Sequence, residues 1–358
     1  MTSIGIHGVG TYLPPHVRTN DWWSPEIVAG WRDRAATKAM RSDVPAGTDL
    51  SEGARKTLAA MAEYSNDPFR GAIERHVMSD DSSVPEMEAF AARDAMQRAG
   101  VGPAEIDIIL TQTPVPETLY VNGACITHKI LELPRSTLAL ATGGACNAFA
   151  IHASLAQAFI TSGQARRVLS VHSAAMNRIM DPKEPDSAWI GDGAAAVVWG
   201  PVSDGKGVLS TVHNTDGTSC NALTLGIPGK RWWQEGAITV DPLDRSHTRT
   251  MLMNLVDRAR ETVTAALTAG KQRPSDVDFY ASHQGTAWLT RVSAEHAGLE
   301  RAKTVITFPN VGNMHSANIP FILAQGERRG LIQDGSVVAT FSGGVGETWS
   351  SLCIRWGR

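Results

Sequence analysis

The sequence predicts an α/β fold in which one structural unit occurs twice. Short apolar runs of buried-strand type alternate with amphipathic helical stretches, the pattern of central sheets between helix layers. A segment near position 100 also returns near position 270. The first copy reads Ala95-Met96-Gln97-Arg98-Ala99-Gly100, then Pro103-Ala104-Glu105-Ile106-Asp107. The second reads Ala266-Leu267-Thr268-Ala269-Gly270, then Pro274-Ser275-Asp276-Val277-Asp278. Each is a helix, a glycine C-cap, a Pro-containing loop and an apolar strand. The copies lie about half the chain apart, which favours duplication. Coincidence is the competing explanation, because such connections occur in many α/β proteins.

In chain order, Ile4-Gly5-Ile6-His7-Gly8-Val9-Gly10 reads as a strand and a glycine turn, with no basic or apolar leader before it. Residues 20–70 are polar and helix-prone, with helix starts at Ser24-Pro25 and Asp49-Leu50-Ser51-Glu52. They read as a helical insertion or lid on the first half, with a plain surface helical pair carrying Trp22, Trp23 and Trp31 as the alternative. Helices are expected over Val84 to Ala99 and Ala148 to Ser162. Strands are expected at Val168 to Val171, Ala195 to Trp199, Val277 to Ala281, Thr304 to Phe308, Ser336 to Thr340 and Ser351 to Trp356. The polar, turn-rich stretch Pro201 to Gly207 marks the boundary, giving halves 1–203 and 204–358.

Composition narrows the function. The chain has 358 residues and a net charge of -3, with no basic run, which argues against nucleic acid as a partner. No stretch of about 18 apolar residues suggests a membrane span, and a cytoplasmic setting is expected. Four cysteines stand far apart, with no Cys-x-x-Cys pair. They support neither a disulfide framework nor a metal site.

Cys146 is the candidate nucleophile. It follows the strand-like Thr137 to Thr142 through Gly143-Gly144-Ala145, and a helix begins at Ala148. A cysteine at a strand-to-helix turn meets the positive end of the helix dipole, which favours thiolate. Cys125, Cys220 and Cys353 read as structural. His283, just past a strand end, is the leading partner for the thiol, because that position faces the usual α/β ligand crevice. Asn313, in Val311-Gly312-Asn313, can donate an amide hydrogen to a substrate oxygen, and His315 beside it is a weaker rival base. Gly343, in Phe341-Ser342-Gly343-Gly344, offers a backbone N–H suited to an oxyanion.

Together these residues resemble the thiolase superfamily, and within it the β-ketoacyl-acyl-carrier-protein synthase III family. The resemblance runs through Gly8 to Pro14, His16 to Asn20, Ile73-Glu74-Arg75-His76, the Cys146 turn, Gly191-Asp192-Gly193, His283-Gln284, Gly312-Asn313 and Phe341 to Gly344. It implies duplicated βαβαβαββ halves stacked in five αβαβα layers, usually as a homodimer. By position it implies Cys146 as nucleophile, His283 and Asn313 as its partners, and the Cys146 and Gly343 N–H groups as oxyanion hole. It implies coenzyme A or carrier-protein thioesters as substrates, with no tightly bound cofactor. An acyl group on Cys146 then undergoes Claisen condensation with a malonyl-type thioester.

Some positions depart from the family pattern. Thr286 and Trp288 stand where the family often has Asn and Arg, and 181–186 reads Asp-Pro-Lys-Glu-Pro-Asp where an Arg is usual. An acidic loop disfavours a polyanionic coenzyme. These changes suggest a relative in specialised metabolism. Leu119, Tyr120, Trp288 and Ser316 are the expected substrate contacts. Glu117 is either an exposed loop carboxylate or a base presented by a partner subunit. Plain acyl transfer to an alcohol or amine is the alternative chemistry. A Cys–His–Asn thioester hydrolase and a non-catalytic partner subunit are more distant ones.

Overall fold

The computed structural model describes residues 3–39 and 49–358. The middle of the expected 20–70 insertion, residues 40–48, lies outside the described residues. Along the chain the strands are β1 (Ile4–Tyr12), β2 (His16–Thr19), β3 (Glu74–Val77), β4 (Ile108–Gln112), β5 (Leu138–Ala141), β6 (Val168–Ala174) and β7 (Gly193–Pro201). They continue with β8 (Gly207–Thr215), β9 (Thr224–Gly226), β10 (Thr239–Asp241), β11 (Phe279–Ser282), β12 (Val337–Gly344) and β13 (Thr348–Arg355). The helices are α1 (Pro25–Ala39), α2 (Glu52–Glu63), α3 (Val84–Ala99), α4 (Gly123–Ile130) and α5 (Ala148–Thr161). After these come α6 (Arg245–Ala269), α7 (Leu289–His296), α8 (Phe308–Val311) and α9 (Asn318–Arg328).

Two sheets carry the fold. The first has the order β1-β7-β6-β4-β5 and the second β11-β12-β13-β8. α5 and α9 lie between them. Phe149, Ala153 and Ile160 of α5 and Ile319, Ile322 and Leu323 of α9 join one buried cluster with Leu110 and Trp199 from the first sheet and Phe279 and Leu352 from the second. On the far side of the first sheet, Met87, Ala91 and Ala95 of α3 pack on Ile109, Leu169 and Ala196. On the far side of the second, Ala259, Val263 and Leu267 of α6 pack on Tyr280, Ala339 and Cys353. The result is the five-layer αβαβα stack. Apolar side chains face both sides of each sheet, which explains the near-continuous hydrophobic strands. No helix among the described residues is long and apolar enough to cross a membrane.

One expectation needs correction. The strand expected at 304–308 does not form: a lone bridge joins Lys303 to Phe279, and the chain then turns into α8. Gly270 caps α6 as expected, its N–H donating to the Ala266 carbonyl at 2.9 Å, but the positive φ that Gly100 takes itself (70°) falls here on Lys271 (55°). A side chain at Gly270 would stand 3.0 Å from Cys353 Sγ, so close packing explains this glycine.

In the 20–70 segment, Ser51 caps α2 by accepting from the Ala54 N–H at 3.0 Å. Trp23, Trp31 and Phe69 form a cluster, and both indole N–H groups reach the acidic loop. Trp23 donates to the Pro182 carbonyl at 3.0 Å and Trp31 to the Lys183 carbonyl at 2.7 Å. Arg34 pairs with Glu184 at 3.0 Å.

Candidate active site

Four segments, linked one to the next by contacts, build the site: the Cys146 turn, the end of β12, the end of β11 and the loop after α8. The first follows β5. Gly144 (φ 112°) and Ala145 (φ 47°) take left-handed backbone, and Cys146 and Asn147 complete a tight turn before α5. The turn is held from the second sheet: Ser342 donates to Asn147 Oδ1 at 2.8 Å. A side chain at Gly344 would stand 2.8 Å from the Gly144 carbonyl, so only glycine lets β12 come this close.

β12 also orients Gly343. Phe341 accepts the His283 N–H at 2.7 Å, so its polar edge faces β11. Strand alternation turns the Gly343 N–H to the same edge, two residues beyond the end of β11.

His283 leaves β11 fully buried. Its neighbour Gln284 is the anchor. The Gln284 amide donates to the Val305 carbonyl at 2.8 Å and accepts from the Thr307 and Phe308 N–H groups at 2.8 and 3.0 Å. This clamp replaces the missing strand.

Asn313 is held by the Gly191-Asp192-Gly193 turn. The Asn313 N–H donates to the Trp189 carbonyl at 2.7 Å, and the Asn313 carbonyl accepts from Gly191 at 3.3 Å. Asp192 is buried and accepts from the Met78 and Asn177 N–H groups at 2.9 and 3.2 Å. Burial raises its pKa. Arg75 packs beside Gly191 with its guanidinium buried, donating to the Arg18 carbonyl at 3.0 Å and to Asn20 Oδ1 at 2.8 Å. The scattered motifs therefore form one support for Asn313.

The side chains converge. The Asn313 Oδ1 accepts from the His315 N–H at 2.9 Å and from Asn318 Nδ2 at 3.2 Å. Asn318 Nδ2 also meets His283 Nδ1 at 3.1 Å. A side chain built at Gly285 would lie 3.0 Å from His283 Nε2 and 3.8 Å from Asn313 Nδ2. Both nitrogens thus face the same side of Gly285 and lie near each other. His315 Nδ1 stands 3.5 Å from Cys146 Sγ.

The site is neutral at rest. Burial pushes the Cys146 thiol up to about 12, against a smaller lowering by its own backbone N–H. Burial thus opposes the thiolate that the helix end favours. Burial, with the neighbouring His315 charge, pushes His283 down to about 3, partly opposed by the His315 backbone. Burial alone takes His315 to about 4.

The other expected contacts have varied surroundings. Leu119 and Tyr120 are 72% and 99% exposed and line a cavity of about 400 Å³ with Glu88, Thr111 and Thr142. Trp288 is buried in a packing cluster with Ala60, Val256 and Val292. Ser316 is buried and donates to Gln112 Oε1. Glu117 is no free loop carboxylate: it pairs with Arg178 at 2.8 Å and accepts from the Val84 N–H at 2.6 Å. Cys353 is buried in β13, whereas Cys125 and Cys220 are exposed rather than part of the core. No cluster among the described residues could hold a metal ion. Sequence reasoning missed Asn318 and the Gln284 clamp. A polar Asn at the buried start of an apolar helix was the available signal for Asn318.

Comparison with known proteins places this arrangement. The 3-oxoacyl-[acyl-carrier-protein] synthase III family profile matches residues 142–217, and its C-terminal profile matches 267–356. The chain is 30% identical over 311 residues to the β-ketoacyl-[acyl-carrier-protein] synthase III of Roseobacter denitrificans, covering 84% of this chain and 92% of that one. The chain belongs to the β-ketoacyl-acyl-carrier-protein synthase III family. The family member from Geobacillus kaustophilus is 28% identical over 355 residues, covering 99% of both chains. The 3-oxoacyl-[acyl-carrier-protein] synthase III structure from Aquifex aeolicus superposes with a TM-score of 0.78 at 22% identity, over 99% of this chain and 100% of that one. Family membership makes the chain an acyl-transferring condensing enzyme.

Proposed function

We propose that the protein condenses an acyl group carried on Cys146 with a malonyl-type thioester. In the first step the Cys146 sulfur attacks the carbonyl of an acyl-coenzyme A or acyl-carrier thioester. The oxyanion forms against the Cys146 and Gly343 N–H groups, and the donor thiol departs. In the second step the malonyl C–COO⁻ bond breaks and carbon dioxide leaves. The electron pair passes into an enolate whose oxygen is held by His283 and Asn313. The enolate carbon attacks the acyl carbonyl, and Cys146 is expelled with the β-ketoacyl thioester as product.

One observation carries this reading. His283 Nε2 and Asn313 Nδ2 stand 3.0 and 3.8 Å from one point beside Gly285, so the two nitrogens are near enough to each other for one carbonyl oxygen to meet both. Plain acyl transfer to an alcohol or amine has no use for an enolate site. The reading takes the two halves as 1–203, bearing Cys146, and 204–358, bearing His283 and Asn313. It takes the working unit as a homodimer, supported by the exposed Leu119, Tyr120 and Val121. The acidity of the 181–186 loop makes it a poor seat for free coenzyme A, which is a polyanion.

The test is to load the enzyme with an acyl thioester and then add malonyl-carrier or a small alcohol or amine. Carbon dioxide release with a β-ketoacyl product supports condensation. Discharge by the alcohol or amine, without carbon dioxide, assigns plain transfer instead.

A further inference from the structure

We propose that His315, rather than His283, takes the Cys146 proton during acylation. The proposal rests on the acyl-Cys146 reading above and divides the labour between two histidines.

The amide orientations decide which nitrogen of His283 carries hydrogen. The Met314 N–H donates to Asn318 Oδ1 at 3.2 Å, which fixes that atom as oxygen. The His315 N–H likewise fixes Asn313 Oδ1, at 2.9 Å. Asn318 Nδ2 therefore offers one hydrogen to Asn313 Oδ1 at 3.2 Å and the other to His283 Nδ1 at 3.1 Å. His283 Nδ1 is then an acceptor, so the ring hydrogen sits on Nε2. That tautomer turns a ring N–H toward the side of Gly285 on which Asn313 Nδ2 also lies. It suits an enolate oxygen and cannot also accept a thiol proton there.

The Cys146 proton needs another acceptor, because the resting group is a thiol. His315 Nδ1 is the ring nitrogen at the sulfur, 3.5 Å away. The backbone at His315 is left-handed (φ 50°), a conformation costly for most side chains, and it is the turn that brings the ring to Cys146. His315 Nε2 is buried with no hydrogen-bond partner among the described residues. Nothing there stabilises a lasting imidazolium, so a proton taken is readily returned. As the sulfur–carbon bond forms, the S–H proton moves to His315 Nδ1. It then moves to the departing thiolate of the donor, and His315 ends neutral.

His315→Asn is the informative variant, because Asn tolerates the left-handed backbone while removing the ring. Rapid-quench intact-mass measurement of Cys146 acylation should show about a 10²-fold loss in this variant. Malonyl decarboxylation by pre-acylated enzyme should stay near the wild-type rate. His283→Ala should do the reverse, keeping acylation and losing about 10²–10³-fold in decarboxylation. Wild-type acylation rates in His315→Asn overturn the proposal, as does an equal loss of acylation in His283→Ala. A wild-type enzyme that never acylates Cys146 sinks the acyl-enzyme reading instead. Iodoacetamide alkylation of Cys146 then still decides the role of His315: slowing in His315→Asn supports it, and an unchanged rate contradicts it.

Discussion

Gly191 and Asn313 hold each other backbone to backbone: the Gly191 N–H donates to the Asn313 carbonyl at 3.3 Å. The contact leaves no room for a side chain. A Cβ at Gly191 would stand 1.9 Å from the Val311 carbonyl oxygen. Gly191→Ala must therefore displace the Asn313 loop, costing about 1–3 kcal/mol of stability. We expect decarboxylation to fall at least tenfold, with Cys146 acylation less affected. Unchanged condensation kinetics would show that this contact does not position Asn313.

Gln284 serves His283 in a similar way from the other side. Gln284→Ala leaves the buried Thr307 and Phe308 N–H groups and the Val305 carbonyl without their partner. Each such loss costs about 1–3 kcal/mol. A lowered melting temperature and a lowered condensation kcat are expected together. Retention of both would mean that the 305–308 segment is held by other contacts.

Glu347 locks the hairpin that carries Gly343. It is buried and paired with Arg258, which lies over the Trp349 ring at 4.1 Å and reaches Asp216 at 3.3 Å. Glu347→Gln leaves a mostly buried guanidinium short of one carboxylate, a change that typically costs about 3–5 kcal/mol. Urea unfolding should show a lower midpoint with little change in slope. An unmoved midpoint would contradict the pairing.

Acid should destabilise the fold through its buried histidines. Burial holds His152 and His283 at about 3, His315 at about 4 and His172 well below the usual 6.5. Above 6.5 these rings are neutral in both folded and unfolded chains. As pH falls from 6.5 toward 4, the unfolded chain gains protons that the folded one refuses. Each such proton costs about 1.4 kcal/mol per pH unit. Glu88, raised to about 7 by burial, and Asp192, also raised by burial, oppose this by binding protons when folded, but the lowered histidines outnumber them. The melting temperature should therefore drop between pH 6.5 and 5, and His172→Phe should flatten the drop. A melting temperature that rises on acidification contradicts this balance.

Much of the site is readable from local pattern, because most of its groups sit where strands end. Cys146, His283 and Gly343 each follow a strand or lie at the end of one, Asn313 follows the short α8, and a glycine stands within two residues of each. What is not readable depends on distant chain. Trp23 and Trp31 look like surface helix residues until their indoles meet carbonyls at Pro182 and Lys183. Asn318 reads as a helix start, and only the fold of the 312–318 loop turns its amide toward His283. The setting of Cys146 is legible only in part: a helix end is visible in the sequence, whereas the burial that opposes a thiolate there is not. Strand 304–308 fails because the Gln284 side chain supplies the hydrogen bonds that a neighbouring strand would have offered.

The acyl-enzyme itself is tested most directly by intact mass. Wild-type protein incubated with an acyl thioester should gain the mass of one acyl group, mapped by peptide digestion to Cys146, and Cys146→Ala should gain none. An adduct that persists in Cys146→Ala, or thioester turnover with no adduct in either protein, would contradict Cys146 as the nucleophile.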